Sequence, residues 1–295
     1  MEIFGIPLQA LLGQIMLGLV NGAFYAVLSL GLAIIFGLLR IVNFAHGAFF
    51  MAGAFVAFLI GRHLGLGYWP AMIIAPLVVG IGGVLFERFG LRRIYGLDPL
   101  YGLLLTFGLV LVLEGSFRVA FGSSGQAYAT PPSLRGVWNL GFMALPVYRA
   151  FEILVAIIVC VGTWIVIEKT RMGAYLRAAT EKPELTQSFG INVPVLLTLT
   201  YGAGVALAGF AGVLAAPIQH VNPSMGSDLV IIVFAIVVIG GLGSIFGSAM
   251  TGLGLGVIEG LTKVYYSEAS TIVVFVLMAL VLLLRPAGLF GREDA

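Results

Sequence analysis

Residues 8–38 read LQALLGQIMLGLVNGAFYAVLSLGLAIIFGL, a run of 31 residues without a charged side chain. About 20 apolar residues are enough for a helix to cross the roughly 30 Å hydrocarbon core of a bilayer. At 1.5 Å per residue this run would extend about 46 Å, so we expect it to tilt, bend or split. The stretch therefore indicates a membrane-spanning helix.

The composition of the whole chain also points to a membrane. Of its 295 residues, 60% are hydrophobic and 9% are charged, whereas about 25% charged residues are usual in soluble domains. A soluble fold of this size could not bury so much apolar surface. The net charge of +2 gives no basic field for nucleic acid. The single cysteine, Cys160, excludes a disulfide framework.

Eight further apolar segments follow the first one. We predict an all-α fold, a polytopic transmembrane helical bundle of about 8–10 spans, in a single domain over residues 1–295. The segment Leu229–Ile239 has only 11 residues and must borrow length from its flanks. The nine segments are Leu8–Leu38, Phe44–Gly61, Tyr68–Phe86, Leu100–Phe121, Val147–Ile167, Val195–Pro217, Leu229–Ile239, Ile245–Leu261 and Thr271–Leu284.

The basic residues predict an orientation, because Lys and Arg are retained on the cytoplasmic side. With residues 168–192 placed inside and the spans alternating, ten of the fifteen basic residues are cytoplasmic. This arrangement gives an external loop at residues 122–146, a cytoplasmic C-terminus and an external N-terminus; a split first segment would return the N-terminus to the cytoplasm. The inside set is Arg40, Arg88, Arg92, Arg93, Lys169, Arg171, Arg177, Lys182, Arg285 and Arg292, and the outside set is Arg62, Arg118, Arg135, Arg149 and Lys263.

Sequence motifs for catalysis are missing. The chain has no phosphate-binding GxxxxGK[ST], no GxGxxG, no HExxH and no GxSxG. The three histidines, His46, His63 and His220, lack the spacing of metal ligands. We therefore predict a protein that is not an enzyme and that holds no metal ion.

Charged residues near the spans come in pairs of opposite sign, three or four positions apart. We expect each pair to meet on one helix face and to neutralise itself rather than to relay protons. The pairs are Glu114 with Arg118, Arg149 with Glu152, and Glu259 with Lys263.

Two turns are candidates for a translocation path. Gly240, Gly241 and Gly243 follow an apolar run too short to span, which fits a broken helix beside a path or, equally, a tight cytoplasmic turn. Asn43, His46 and Gly47 lie in the turn that joins the first two segments. The alternative for this second turn is a turn at the membrane surface in which the Asn and His side chains are satisfied. Most other glycines of the spans are expected to pack helices closely.

The interval Glu168–Asn192 is the longest hydrophilic stretch. Thr170 predicts the N-cap of a helix through Ala179, and Pro183 with Glu184 predicts the start of a second helix that ends near Gly190. This pair is either a solvated amphipathic connector or a docking element for a soluble partner. If nucleotide hydrolysis drives the protein, a soluble partner must supply it, because no segment of the chain is long enough for a nucleotide-binding domain.

Four motifs in this order carry a family resemblance: VNFAHG…GAF, T-x-x-G-x-x-x-R-A…GIN, GGLGSIFG…G and the terminal RPAGLFG. Over essentially its full length the chain resembles the LivH-like permease subunit of branched-chain amino acid ABC importers. The resemblance implies a coupling loop that docks on an ATPase subunit, with Glu184 belonging to the same element. The residues that it implicates are Thr170, Gly173, Arg177, Ala178, Gly190 and Ile191.

The resemblance also implies an assembly. This chain would be one half of a heterodimeric pore in a bacterial-type inner membrane, paired with a sister permease subunit. Two ATPase subunits would carry ATP and Mg²⁺, and an external binding protein would deliver the substrate, so this chain itself would bind no cofactor. Two alternatives remain open: the same machinery for urea, short amides or other amino acids, and a stand-alone channel or carrier for a small polar solute.

Overall fold

Helices form nearly all the regular structure in a computed structural model that describes residues 2–3, 6–39 and 42–291. Two short antiparallel hairpins, β1–β2 and β3–β4, are the strand pairs of this part. The all-α prediction is confirmed. The strands are β1 (Glu2–Ile3), β2 (Ile6–Pro7), β3 (Val137–Asn139) and β4 (Ala144–Pro146), and the helices are α1 (Leu8–Leu39), α2 (Ala45–Leu64), α3 (Tyr68–Phe89), α4 (Pro99–Phe121), α5 (Val147–Lys169), α6 (Arg171–Glu181), α7 (Pro183–Ser188), α8 (Val193–Ala215), α9 (Ser227–Gly240), α10 (Ile245–Tyr265) and α11 (Ile272–Leu284).

Each of the nine predicted apolar segments is a helix. Within the described residues, seven helices (α1 to α5, α8 and α10) are long and apolar enough to cross a membrane. The shorter apolar helices α9 and α11 have 14 and 13 residues, which is about 20 Å at 1.5 Å per residue. The polytopic bundle is therefore confirmed. Helix α1 runs unbroken for 32 residues, so the first segment does not split.

The chain forms two compact units. Unit 1 comprises Met1–Ser29, Thr130–Val161 and Ile232–Ala295, and unit 2 comprises Leu30–Ala129 and Gly162–Ile231. The boundaries fall inside α1, α5 and α9. The charge count that predicted the orientation includes Arg40 and Arg292, which lie outside the described residues.

The core of unit 2 is built around α8, which packs against both α2 and α3. The contacts between α2 and α8 bring the two backbones together, because glycines lie where these two helices meet. A Cβ added at Gly53 of α2 would clash with the backbone of Gly209 on α8, and one at Gly212 would clash with the carbonyl of Phe50. Small residues thus allow three apolar helices to approach more closely than larger side chains permit.

In unit 1 the first part of α1 packs against α10 in a similar way, along a line of glycines that we call a seam. Gly18 and Gly22 of α1 face Gly252 and Gly256 of α10 at backbone distance. A hydrogen bond also joins these two helices: the Tyr25 hydroxyl of α1 donates to Glu259 Oε2 of α10 at 3.0 Å. The expected glycine packing is therefore observed in both units.

Candidate functional site

The helix pair α6–α7 begins at a sharp corner with α5, and three motif residues build that corner. The last carbonyls of a helix lack partners inside it. The Thr170 hydroxyl donates to the carbonyl of Val166, and Arg177 Nη1 donates to the carbonyl of Ile167 at 2.9 Å. Arg177 also lies 3.7 Å from the Glu168 carboxylate. The T-x-x-G-x-x-x-R pattern therefore fastens α6 to the end of α5.

Gly173 allows the close approach that these bonds require. A Cβ at this position would overlap the carbonyl of Ile167, so any larger residue would push α6 away from α5. Thr170 occupies the predicted N-cap position, but its side chain makes no cap hydrogen bond to α6. The capping prediction is wrong because the hydroxyl is used by the preceding helix instead.

The remaining predicted coupling residues occupy different places on the same element. Ala178 and Glu184 are exposed. Gly190 adopts φ +82° after α7, a left-handed conformation that glycine takes without strain, and Ile191 is half-buried. The next residue, Asn192, caps α8 by accepting a hydrogen bond from the amide of Val195 at 3.2 Å.

An exposed apolar face covers α6–α7, and sequence reasoning did not single out the residues that form it. Met172, Tyr175 and Leu185 are exposed, and the Phe189 side chain is 78% exposed. A groove of about 370 Å³ is lined by Tyr175, Leu185 and Phe189 of this face, together with Ala178 and Lys182. The available signal was the placement of large apolar side chains within the most polar interval of the sequence.

The turn between α1 and α2 buries its polar side chains. Asn43 and His46 are almost wholly buried. Asn43 lies beside the Tyr201 hydroxyl of α8, yet within the described part of the chain neither group makes a hydrogen bond of ordinary geometry. Thr106 of α4 holds the turn by accepting from the amide of Phe44 at 3.4 Å.

The same turn packs closely on other backbone. Gly47 lies against Gly226, where an added Cβ would clash. Asn43, His46 and Gly47 therefore come together in the interior of unit 2. Neither the Asn43 nor the His46 side chain is exposed at this turn.

A buried carboxyl lies near the C-terminal end of α3. Glu87 is fully buried and accepts hydrogen bonds from the Tyr95 hydroxyl at 2.6 Å and the Thr198 hydroxyl at 2.5 Å. Burial and the bond to Glu87 raise the pKa of the Tyr95 phenol, so Tyr95 remains a hydrogen-bond donor. Sequence reasoning missed this group because the third apolar segment was ended at Phe86, one residue too early to include Glu87.

The glycine turn Gly240–Ser244 belongs to unit 1 and joins α9 to α10. Gly241 and Gly243 adopt φ +100° and +85°, and the Ser244 hydroxyl caps α10 by accepting from the amide of Gly247 at 3.0 Å. The segment after α11 pairs with this turn: the amide of Leu289 donates to the carbonyl of Ile239 at 2.8 Å. The geometry is that of a tight turn whose backbone groups are partly satisfied by the RPAGLFG segment.

Only one of the three predicted charge pairs forms a close ion pair among the described residues. Lys263 Nζ lies 2.6 Å from Glu259 Oε1, which confirms that pair. The Glu114–Arg118 prediction is wrong, because Glu114 instead accepts a hydrogen bond from the Ser227 hydroxyl. Arg149 and Glu152 form no close ion pair in the described part of the chain, but Arg149 interacts electrostatically with the buried Glu152 carboxyl, so this prediction is confirmed only in part.

The spans, the small-residue seams and the helix pair define a multi-pass membrane protein. The family described as "Branched-chain amino acid transport system / permease component" matches residues 14–282, and the chain belongs to this family. No solved structure matches the chain.

Three relatives illustrate the similarity. The chain is 32% identical to the high-affinity branched-chain amino acid transport system permease protein BraD of Pseudomonas aeruginosa, with 96% of each chain covered. It is 30% identical to LivH of Escherichia coli, again with 96% of each covered. It is also 30% identical to LivM of Escherichia coli, over 90% of this chain and 67% of LivM.

Proposed function

We propose that this chain is the permease subunit of an ATP-driven importer that moves branched-chain amino acids inward after their delivery by an external binding protein. The observation that carries the proposal is the similarity to BraD and LivH over 96% of the chain. The low charge content, 9%, fits this cargo, since a zwitterion with an apolar side chain needs few charged groups along its path.

The α6–α7 element supports a docking role. Its apolar side chains face outward in a polar stretch that lies between two membrane-spanning helices. An exposed apolar patch at such a place marks a site of protein interaction. We propose that ATPase subunits, which carry ATP and Mg²⁺, bind Met172, Tyr175, Leu185 and Phe189 on this face, while Thr170, Gly173 and Arg177 hold the face in position.

The two turns remain our candidates for the translocation path. Buried polar groups without ordinary hydrogen bonds are costly, and in native structures they often have a functional reason. Asn43 fits this description within unit 2. We propose that Asn43, His46 and Gly47, and in unit 1 Gly240, Gly241 and Gly243, lie beside the path of the complete pore that a sister permease subunit would share.

The experiment that tests the function is reconstitution in liposomes. This chain is purified with a sister permease and ATPase subunits, and uptake of labelled leucine is measured with and without ATP and loaded binding protein. We expect uptake only when all components and ATP are present. Leucine flux through this chain alone would show a channel or carrier, and uptake of urea or an amide in place of leucine would show the same machinery with another cargo.

A further inference from the structure

Glu87 is a fully buried carboxyl inside a membrane-spanning helix, and its partners are hydroxyl groups. Tyr95 comes from the loop after α3, and Thr198 comes from α8. No described basic side chain forms an ion pair with it. Burying a carboxyl in this way costs more free energy than packing an apolar side chain of similar size. Stability alone therefore does not explain why a carboxyl group is buried at this position.

The position of Thr198 relates Glu87 to the α6–α7 element. Helix α8 starts immediately after that element, at the Asn192 cap, and both α6 and α7 pack against it. Thr198 lies within the second turn of α8. The hydrogen bond to Glu87 thus links the part of α8 nearest α6–α7 to a helix that spans the membrane.

The cluster continues toward the α1–α2 turn. Tyr201 lies three residues after Thr198 on α8 and interacts electrostatically with Glu87, while Asn43 lies beside its hydroxyl. Glu87 is therefore at the centre of a buried polar group that joins α3, α8, the α3–α4 loop and the first candidate path turn. All of these residues belong to unit 2.

We propose that Glu87 is a positioning residue for energy coupling, which holds α8 on α3 through Thr198 so that a displacement of α6–α7 moves the membrane helices. The proposal rests on the proposed function. A hydrogen bond has a defined direction and length, so the bond from Thr198 to Glu87 helps to fix the register of α8 on α3. Tyr95 ties the following loop to the same carboxylate.

Helix α8 provides a matched control. Thr198 and Thr200 are each 7% exposed, and each hydroxyl contacts the carbonyl four residues earlier, at 2.9 Å for Thr198 and 2.8 Å for Thr200. Only Thr198 also reaches Glu87. Valine has the shape of threonine without the hydroxyl, so Thr198→Val and Thr200→Val differ in the loss of that one bond.

The test measures ATP hydrolysed per leucine transported by the complete transporter in liposomes. We expect Thr198→Val to lower uptake about tenfold, which is the order of the effect of losing one buried hydrogen bond, while ATP hydrolysis stays near its original rate. The ratio then rises about tenfold. Thr200→Val should leave the ratio unchanged, and Thr198→Ser should restore it because serine keeps the hydroxyl. Glu87→Gln should raise the ratio, with Thr198→Val adding little to it.

Outcomes that differ from these expectations count against the proposal. Equal ratios for Thr198→Val and Thr200→Val would overturn it. Loss of the Thr198→Val chain from the membrane, with Thr200→Val retained, would assign the bond to stability alone. If the unaltered complex shows no ATP-dependent uptake, the proposed function fails as well; if that complex transports but Thr198→Val behaves as the control, only the role of Glu87 fails.

Discussion

Within residues 170–177, Thr170, Gly173 and Arg177 contact the end of the preceding helix, α5. Thr170 and Arg177 supply hydrogen bonds to the free carbonyls at the end of α5, and Gly173 leaves room for the backbones to meet. A cation at a helix C-terminus also interacts favourably with the helix dipole. The motif thus builds a platform that holds α6 against α5, and the apolar side chains on its outer face stay exposed, where we propose that a partner binds.

Reversing the charge of Arg177 should disable this platform. Arg177→Glu removes the bond to Ile167 and places a second carboxylate beside Glu168, so we expect uptake to be abolished while the chain remains in the membrane. Arg171→Glu makes the same charge change at the exposed start of α6, where an acidic residue is favourable, and should retain uptake. Equal losses in the two variants would contradict the corner as the cause.

Phe189 is the residue whose removal should most weaken ATPase binding. Truncation of a central aromatic side chain in an interface commonly costs 2 kcal/mol or more, roughly thirtyfold in affinity. We expect Phe189→Ala to lose ATPase subunits during purification, as measured by subunit stoichiometry. Tyr265→Ala, which removes an aromatic side chain that is 56% exposed at the end of α10, is the control. Full retention of ATPase by Phe189→Ala would place the docking surface elsewhere.

The sequence indicated which residues belong to the helix pair, but not what each one does. Spacing alone predicts helices at 171–179 and after Pro183, because caps and breakers are local signals. The bond from Thr198 to Glu87 joins residues 111 positions apart. Such a partner depends on how α3 packs on α8, and no local pattern of residue types encodes that.

At the scale of helices, small residues decide which elements can meet. In unit 1, an added Cβ at Gly252 of α10 would lie 2.7 Å from the amide nitrogen of Ala26 on α1. Each helix contributes glycines spaced one turn apart, so almost no side-chain atoms lie between the two backbones along this seam. Hydropathy predicted these helices well because each span is a local run of apolar residues, whereas the pairing of the seams required the structure.

Filling the seam should destabilise the protein. Gly252→Leu forces α1 and α10 apart, and overpacking of this kind costs about 1–3 kcal/mol or more. We expect a lower melting temperature in detergent, read by fluorescence-detected size-exclusion chromatography. Gly254→Leu, two residues away and with open space around the position, should melt near the unaltered protein. A tolerated Gly252→Leu would contradict the close packing of α1 on α10.

The α9–α10 turn should be sensitive to substitution of Gly241 for two reasons, its positive φ and the crowding around it. Gly241 combines φ +100° with a crowded position next to Gly291, whereas Gly65 has φ +63° and open space. Alanine at Gly65 carries only the left-handed penalty of about 1 kcal/mol. We therefore expect Gly241→Ala to lower thermal stability clearly more than Gly65→Ala. Similar melting temperatures for both variants would show that the RPAGLFG segment is not seated against the turn.

For the whole molecule, the distribution of basic residues predicts which side of the membrane each loop occupies. Residues 122–146 contain the β3–β4 hairpin with an exposed Trp138, and residues 168–192 contain α6–α7. The first is expected outside and the second inside. The single native cysteine, Cys160, lies within the membrane-spanning part of α5, so one substitution gives a background for labelling.

Cysteine labelling checks this orientation. In a Cys160→Ala background, Ser133→Cys in the external loop should react with a membrane-impermeant maleimide on intact spheroplasts. Ser188→Cys at the end of α7 should react only after the membrane is opened. Both serines are exposed. Labelling of Ser188→Cys on intact spheroplasts would reverse the predicted topology.

The corner between α5 and α6 has a mechanical consequence. Side chains that separate two helices act as a compliant layer, because rotamers can shift before the backbones do. Gly173 removes that layer, and Arg177 and Thr170 bond directly to main-chain oxygens. A load applied to α6 is therefore delivered to the backbone of α5 with little slack. The corner is therefore stiff, and stiffness at this place suits the coupling role that we propose for α6–α7.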